Sequence, residues 1–426
     1  MHKETTNLME AIVSRENMLE SMQRVRANKG AAGVDGISVY VAPKHLKRVW
    51  PQIRQQLLAG TYRPKKVRRV EIPKPKGGTR MLGIPTVTDR AIQQAILQVL
   101  TPIFEPTFSE YSFGFRPNRN AHQAVRQARQ YVEDGYTSVV DLDLAKFFDN
   151  VNHDRLMARL ATTIKDKRLL KLIRRYLQSG GLSGEGRDKK GTPQGGPLSP
   201  LLANIVLDEF DQELEARGHR FVRYADDCTI FVKSQRAGER VLASVETWLT
   251  KRLRLPVNRE KSAVGWFSTR TLLGFTVWSR GGIRIAVSRD SKRKLKERIR
   301  ALTPRKNTSR TTKDTIQHLN VYLRGWFGYY RLGASDTFLG DMDRYARRRL
   351  RMHQWKTWKK VGTRERRLMT LGMAAEEAHK NANTRKGYWH VSNSKILATT
   401  LTNRYFQELG LFSLQQRYRA LRLQRE

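Results

Sequence analysis

Four carboxylates occupy positions where the residue pattern predicts β-strands. In FVRYADDCTIF (221–231), Asp226 and Asp227 lie between two runs of β-formers. In TSVVDLDLAKFFDN (137–150), alternation with a period of two places Asp141 and Asp143 on one strand face and apolar residues on the other. Carboxylate oxygens are the ligands that Mg²⁺ prefers in proteins. The two segments therefore predict a divalent-cation site wherever they meet.

A hairpin would bring the carboxylates together. If residues 221–232 form a hairpin that turns near Ala225 and Asp226, its tip can lie beside Asp143. Two ions held there would stabilise an attacking 3′-oxygen and a departing pyrophosphate in an in-line displacement. The alternative for an Asp-Asp pair is a solvated turn with no ligand.

Other segments predict helices and strands that alternate to about residue 285, followed by a mostly helical remainder. Strands are predicted over 138–144 and 272–278, and one helix is predicted after an N-cap at Asp89. Apolar residues at helical spacing from Leu156 to Leu177 predict a second helix that ends at Gly180 and Gly181. The expected fold class is α+β.

The charge of the chain indicates its partners. Its 81 Lys+Arg against 39 Asp+Glu give a formal charge of +42, which favours a polyanion such as nucleic acid. Binding to a membrane surface is the alternative, but the basic residues are spread along the whole chain. One cysteine, Cys228, excludes an intrachain disulfide and a Cys-rich zinc site. Without a long apolar run, we expect a cytosolic protein with no membrane contact, associated with the nucleoid.

Several motifs occur in an order that is specific in combination. They run from the N-terminal part to the far end: RANKGAAGVDG (26–36), RRVEIPKPKGGTRMLGIPTVTDRAIQQAI (68–96), SFGFRPNRNAH (112–122), VVDLDLAKFFDNVNHD (139–154), GTPQGGPLSPLLANI (191–205), RYADDC (223–228), LPVNREKSAV (255–264), LLGF (272–275), GWFGYYRL (325–332) and NTRKGYW (383–389). With these motifs the chain resembles a bacterial reverse transcriptase and maturase encoded by a group II intron.

The resemblance implies a right-hand polymerase followed by a helical thumb. The implied domains are an N-terminal extension with an RNA-contacting loop (1–60), fingers and palm (61–285), a maturase X-like thumb (286–365) and a small basic nucleic-acid-binding domain (366–426). A single cysteine cannot build the Cys-rich endonuclease module of some relatives, so we expect the endonuclease-lacking type. The segment 180–191 before PQGG is Gly-rich and shorter than is usual in the family.

The resemblance also assigns the metal site. It implies that Asp143, Asp226 and Asp227 are catalytic and hold two Mg²⁺ ions, with Mn²⁺ as a substitute. Asp141 shares their strand face but does not match the family spacing. Phe148 would lie under the nucleotide sugar, where its ring collides with a 2′-hydroxyl and favours deoxynucleotides; core packing is its alternative.

Nucleotide contacts follow from the same resemblance. Lys74 and Arg80 flank the turn in IPKPKGGTR and would fold over the triphosphate, whereas Lys76 points outward as a surface charge. Gln194 and Gly195 would lie beneath the nucleotide, and Lys261 would donate a proton to pyrophosphate.

Template, primer or RNA contacts are implied at eight positions. Lys29 lies in the N-terminal loop, which could also be an ordinary Gly-rich turn, and Arg116 could also form a structural ion pair. Gly274 and Phe275 resemble a primer-gripping hairpin. In the basic region the contacts are Arg347, Arg348, Arg349 and Arg351, whereas Trp355 and Trp358 could equally belong to the core.

The implied function is RNA-directed DNA polymerase, with maturase binding of group II intron RNA for splicing and retrohoming. Its partners would be an RNA template with a DNA or RNA primer, dNTPs, intron RNA and target DNA. A free-standing reverse transcriptase recruited for DNA repair or antiphage defence is the alternative. An RNA-dependent RNA polymerase is disfavoured by Phe148. No GxxxxGK[ST] or GxGxxG motif occurs, which argues against a P-loop ATPase or a dinucleotide enzyme.

Overall fold

The computed structural model describes residues 5–73, 77–179, 190–192, 195–278, 281–305 and 310–424. The chain divides into two compact units, Met1–Arg270 and Thr271–Glu426. Among the described helices, none is both long and apolar enough to cross a lipid bilayer. The chain combines many helices with antiparallel sheets, which confirms the predicted α+β class.

The first unit contains six strands and ten α-helices within its described residues. The strands are β1 (Arg68–Pro73), β2 (Thr79–Ile84), β3 (Ser138–Leu142), β4 (Arg220–Tyr224), β5 (Asp227–Val232) and β6 (Ala263–Trp266). The helices are α1 (Leu8–Ile12), α2 (Arg15–Ala27), α3 (Ala42–Leu58), α4 (Val87–Phe104), α5 (Ala121–Glu133), α6 (Phe147–Asn150), α7 (His153–Thr163), α8 (Lys167–Ser179), α9 (Ser199–Ala216) and α10 (Gln235–Trp248).

The central sheet of this unit has the strand order β4-β5-β3-β6, and all its pairings are antiparallel. On β3, Val139, Val140 and Leu142 are buried, whereas Asp141 is only partly buried. The predicted strand is therefore confirmed, and it ends at Leu142, two residues before its predicted end. The hairpin β4–β5 is confirmed with its turn at Ala225 and Asp226.

Two helix predictions differ from the structure. The N-cap of α4 is Thr86, whose Oγ1 accepts a hydrogen bond from the Asp89 amide at 3.1 Å. The single helix predicted across 156–177 is two helices, α7 and α8. Asp166 separates them, because its Oδ1 accepts hydrogen bonds from the amides of Arg168 and Leu169 and so begins a new helix.

The second unit is mostly helical. Its strands are β7 (Phe275–Trp278) and β8 (Arg284–Val287), and they form an antiparallel pair. Its helices are α11 (Arg289–Leu302), α12 (Thr312–Tyr330), α13 (Asp336–Thr357), α14 (Val361–Thr370), α15 (Ala375–Ala382), α16 (Tyr388–Val391), α17 (Lys395–Thr400), α18 (Asn403–Glu408) and α19 (Leu414–Leu423). Trp355 and Trp358 belong to its core: both are buried, with ring centroids 6.0 Å apart.

Candidate active site

The strand register brings the predicted carboxylates to one edge of the central sheet. Leu142, the last residue of β3, pairs with Cys228 on β5. Asp143 comes directly after β3, and Asp227, the first residue of β5, comes directly before Cys228, so antiparallel pairing brings the two aspartates to the same edge. Asp226 lies in the two-residue turn before Asp227, after Ala225, which has a φ of 58°. The edge therefore presents carboxylates from two segments that are distant in the sequence.

The backbone of Asp143 is held from a third segment. Its amide donates to Ser262 Oγ at 3.0 Å, and its carbonyl oxygen accepts from the Asn258 amide at 2.8 Å. From the same segment, the Lys261 Nζ approaches Asp143 Oδ2 at 3.6 Å. The predicted proton donor thus lies next to a predicted metal ligand.

The carboxylates also interact with one another. Partial desolvation and, after it, the charges of Asp226 and Asp143 raise the pKa of Asp227 to about 6, although this residue keeps an exposed surface. Within the described ranges, no three His, Cys, Asp or Glu residues stand together as a ready metal cluster. Crowded carboxylates repel each other, and a divalent cation would relieve that repulsion. The donor set therefore fits a hard cation such as Mg²⁺.

Asp141 has partners of its own. Its Oδ1 accepts from Thr229 Oγ1 at 3.1 Å, and its Oδ2 lies 3.9 Å from Arg270 Nε. Burial raises the pKa of this carboxyl, and the Thr229 hydrogen bond and the Arg270 charge oppose that rise. These contacts give Asp141 a structural role beside the site.

A buried ion pair supports the turn that carries Asp226. Arg223 is 1% exposed, and its Nη2 lies 2.5 Å from Asp211 Oδ2 on α9. Its Nη1 donates to the Ala225 carbonyl at 2.8 Å and to Asn204 Oδ1 at 3.0 Å. The Asn204 side chain donates in turn to the Gly114 carbonyl at 3.0 Å. A single guanidinium thus joins helix α9 to the backbone of the turn.

Gly114 packs directly on this turn. A Cβ at Gly114 would lie 2.1 Å from the Ala225 amide nitrogen, so only glycine fits there without a shift of backbone. Sequence reasoning did not identify the network of Arg223, Asp211 and Asn204. Two features of the sequence could have indicated it: Arg223, which directly precedes YADD, and Gly114, which lies in SFGF.

A cavity of about 470 Å³ in the first unit contains two of the predicted nucleotide contacts. Phe148 and Gly195 line it, together with Leu82 from β2 and Arg90 and Gln94 from α4. Its further lining residues are Val25, Asn28, Phe115, Gly196, Pro197, Ser199 and Pro200. Arg90 and Gln94 were missed, although polar residues on a helix as apolar as α4 were a signal for them. The cavity is therefore lined both by residues that the nucleotide motifs predicted and by residues that they did not.

Two features shape this cavity. Gly195 has a φ of 130°, and a Cβ there would meet the Gly83 carbonyl oxygen at 2.7 Å, so glycine permits a close approach to β2. The Phe148 ring is partly exposed and packs edge-on against the buried Phe147, with centroids 5.2 Å apart. Phe148 is thus a wall of the cavity and does not lie wholly in the core.

The other predicted contacts of the first unit fall into three groups: outside the described residues, exposed and buried. Lys74, Gln194 and the side chain of Arg80 lie outside the described residues, as does most of 180–191. Lys29 is exposed after α2, with a φ of 49°. Arg116 is buried, and its Nη2 lies 2.8 Å from Glu105 Oε1. This is the structural ion pair that was the alternative to a nucleic-acid contact.

The remaining predicted contacts lie in the second unit. Phe275 is 1% exposed, and its ring packs against those of Tyr329 and Tyr330, so the ring itself is enclosed by protein. Gly274 precedes it with a φ of 83°, and its carbonyl oxygen accepts from the Ser288 amide at 3.0 Å.

The four arginines predicted as contacts in the basic run at 347–351 differ in burial. Arg349 is buried and donates from Nε to Thr303 Oγ1 at 3.0 Å, which corrects its assignment to an RNA contact. Arg347, Arg348 and Arg351 are partly exposed. Among the four arginines predicted in this run, these three therefore have surface to offer to RNA.

Two protein-family models match the chain, one mainly in the first unit and one in the second. The reverse transcriptase (RNA-dependent DNA polymerase) family model matches residues 72–277, and the group II intron maturase-specific domain matches residues 292–372. Protein YkfC of Escherichia coli is 34% identical over 299 residues, which cover 60% of this chain and 78% of YkfC. The group II intron-encoded protein LtrA of Lactococcus lactis is 41% identical over 194 residues, which cover 45% of this chain and 32% of LtrA.

Two solved structures are also similar. The partial Cas6-RT-Cas1–Cas2 complex contains a chain 27% identical to this one, with a TM-score of 0.36 and coverage of 57% of this chain and 42% of that chain. Telomerase from Candida albicans is 12% identical, with a TM-score of 0.41 and coverage of 82% and 71%. With TM-scores this low, the assignment to a family depends on the sequence matches.

Proposed function

The chain belongs to the family of group II intron-encoded reverse transcriptases that carry a maturase domain, and we propose that Asp143, Asp226 and Asp227 are its catalytic carboxylates. The family makes it an RNA-directed DNA polymerase. The observation that supports the residue assignment is the strand register, in which Asp143 follows the pair of Leu142 and Cys228 and lies beside Asp227 and the turn that carries Asp226.

The three carboxylates would hold Mg²⁺, with Mn²⁺ as a substitute. Bound there, the ions would activate the primer 3′-hydroxyl and stabilise the departing pyrophosphate. The protein itself fixes the positions of the ligands, since Ser262 and Asn258 hold the Asp143 backbone and Arg223 holds the turn. Lys261, which lies beside Asp143, would give a proton to pyrophosphate.

The cavity beside Phe148 is the proposed site of the incoming dNTP. Its volume of about 470 Å³ is within the usual range of small-molecule sites, roughly 300–1,000 Å³. The Phe148 ring would exclude a 2′-hydroxyl, and Gly195 would allow the base to approach the backbone. Lys74, Arg80 and Gln194 complete the proposed set on the basis of the family motifs.

Primer extension on an RNA template tests the polymerase assignment. With Mg²⁺, wild type should extend a DNA primer with dNTPs and fail with rNTPs, and Asp226→Ala should be inactive. Salt-dependent RNA binding without any extension by the wild type would contradict the assignment.

The maturase assignment concerns binding and can fail independently. We propose that the chain binds its intron RNA and stabilises the splicing-competent form, and that it acts on target DNA in the cytosol and nucleoid of a bacterium. The match to the maturase-specific domain favours this role over recruitment to DNA repair or antiphage defence. Splicing of a group II intron transcript at low Mg²⁺ should depend on the added protein. It should persist with Asp226→Ala, because binding does not need the catalytic carboxylate.

A further inference from the structure

A short segment, residues 190–192, packs beside Phe148. The Thr192 amide donates to the Phe148 carbonyl oxygen at 2.7 Å, and the Thr192 Oγ1 lies 3.4 Å from the same oxygen. Three residues after Thr192, Gly195 lines the same cavity as Phe148. We call residues 190–192 the bridging segment, because they connect the backbone of Phe148 to the chain that leads to Gly195.

His153, the first residue of α7, also holds the bridging segment. It is 2% exposed, and its Nε2 lies 2.6 Å from the Gly191 carbonyl oxygen. A carbonyl oxygen only accepts hydrogen bonds, so Nε2 carries the hydrogen and donates it. The Gly191 amide donates to the Val151 carbonyl oxygen at 2.9 Å. Both polar groups of the Gly191 backbone are therefore bound by the segment that begins α7.

Gly191 reaches both partners because of its backbone conformation. Its φ is 98°, in a region that favours glycine. A Cβ at this position would lie 3.5 Å from the Asp149 carbonyl oxygen, which is an ordinary contact, so the backbone angle and not the space selects glycine. A side chain at position 191 should therefore turn the carbonyl oxygen away from His153.

The backbone of Phe148 must be fixed if its ring is to discriminate between sugars. The ring contacts Phe147, but its place also depends on the direction of its own Cα–Cβ bond, which the bonds from Thr192 to the Phe148 carbonyl constrain. Groups of a functional site must be held within about 0.5 Å of their productive geometry. A bridging segment that moves would let the ring yield to a 2′-hydroxyl.

We propose that His153 is a positioning residue for sugar selectivity. By holding Gly191, it keeps the bridging segment in place, and with it the Phe148 ring, where a deoxyribose fits and a ribose does not. His153 is not one of the described residues that line the cavity, so it acts through the backbone and does not touch the nucleotide. The inference rests on the proposed role of Phe148 and names the contact on which that role depends.

Single-nucleotide extension of a DNA primer on an RNA template tests this role in the full chain, with dNTP and rNTP compared at saturating template–primer. His153→Ala should raise the rNTP-to-dNTP ratio of kcat/KM by about 3- to 10-fold, since the net energy of one hydrogen bond limits how firmly it holds the segment. The Kd for the template–primer should remain that of wild type, because the change is confined to the cavity.

Two further variants separate the hydrogen bond from packing. His153→Gln keeps an N–H donor on a side chain of similar reach, so its ratio should return close to that of wild type. Gly191→Ala keeps the histidine but strains the backbone that carries the acceptor, so its ratio should rise as in His153→Ala. The double variant His153→Ala/Gly191→Ala should show no larger rise than either single variant, because both break the same interaction.

Leu160→Ala is the control for a general loosening of α7. Leu160 is fully buried on the same helix, so its truncation leaves a cavity in the core. Its melting temperature should fall at least as far as that of His153→Ala, whereas its rNTP-to-dNTP ratio should stay at the wild-type value.

An unchanged ratio in His153→Ala would overturn the proposal. Equal rises in His153→Ala and Leu160→Ala, or in His153→Ala and His153→Gln, would also overturn it, because the hydrogen bond would then not be the cause. If His153→Ala does not fold, Gly191→Ala decides, and a wild-type ratio there counts against the proposal. An unchanged ratio in Phe148→Val would instead overturn the role of Phe148, and a wild type that extends no primer would overturn the polymerase assignment.

Discussion

At the scale of single residues, Phe148 is the side chain on which sugar selectivity should depend. It lines the cavity of the first unit, and the buried Phe147 packs against it, so the ring cannot swing away into the core. A ribose 2′-hydroxyl brought against a fixed ring must displace it or leave the productive position.

Phe148→Val should therefore admit ribonucleotides. We expect the ratio of rNTP to dNTP incorporation to rise by about 10- to 100-fold, the usual effect of one steric contact on substrate choice. Single-nucleotide extension measures both rates. Leu82→Ala, which alters the same cavity from β2, is the matched control and should change both rates alike. An unchanged ratio in Phe148→Val would show that the ring does not meet the sugar.

Residue-scale predictions from the sequence succeeded where an element fixes the side chain. Period-two alternation and a hairpin were enough to bring Asp143 beside Asp227. Arg349 and Phe275 could not be placed in this way, because their burial depends on partners far along the chain, namely Thr303 and the tyrosines of α12.

At the scale of elements, the hairpin β4–β5 depends on helix α9 for its position. Arg223 on β4 is fully enclosed, forms an ion pair with Asp211 and holds the Ala225 carbonyl. The sequence predicted the hairpin through its β-formers but not this support, because nothing in the spacing shows that Arg223 is buried.

Arg223→Ala should destabilise the protein by about 3–5 kcal/mol, since it leaves the Asp211 charge buried and unpaired. Arg223→Lys should keep more stability but lose polymerase activity, because one ammonium cannot reach both Asp211 and the turn. Chemical unfolding and primer extension measure the two effects. The control is Arg217→Ala, whose partly exposed ion pair with Glu213 on α9 should be worth about 0–1 kcal/mol. Full activity in Arg223→Lys would contradict the positioning role.

Asp208, also on α9, should make stability depend on pH. Burial and then the Asp211 charge raise its pKa from 3.8 to about 6 in the folded protein. Between these values the folded state keeps a proton on Asp208 that the unfolded chain releases, so the contribution of Asp208 to the free energy of unfolding should fall as pH rises from about 4 to 6.

Asp208→Asn cannot titrate there. Its free energy of unfolding relative to wild type should therefore rise across that window and level off above it. Urea unfolding at several pH values measures the difference, with the exposed Asp154→Asn as control. A difference that stays constant with pH would contradict the raised pKa.

At the scale of the whole molecule, the formal charge of +42 should dominate RNA affinity. The charge was readable from composition, whereas the division into Met1–Arg270 and Thr271–Glu426 required the contacts within each unit. If six to ten phosphates are contacted, affinity should fall by about 10³- to 10⁵-fold between 50 and 200 mM salt. Filter binding measures it, and Asp226→Ala should have the same salt slope. A flat salt response would mean that phosphate contacts do not hold the RNA.

The most direct test of the central assignment compares two aspartates of one strand face. Single-turnover extension of a DNA primer on an RNA template, at saturating dNTP and Mg²⁺, is measured for Asp143→Asn and Asp141→Asn. Asp143 should hold the metal, whereas Asp141 is bonded to Thr229 and lies near Arg270. Asp143→Asn should lower the rate by about 10²- to 10³-fold, the scale of removing one transition-state stabiliser, whereas Asp141→Asn should keep a rate within about tenfold of wild type. Equal losses, or a larger loss at Asp141, would contradict the proposed carboxylate site.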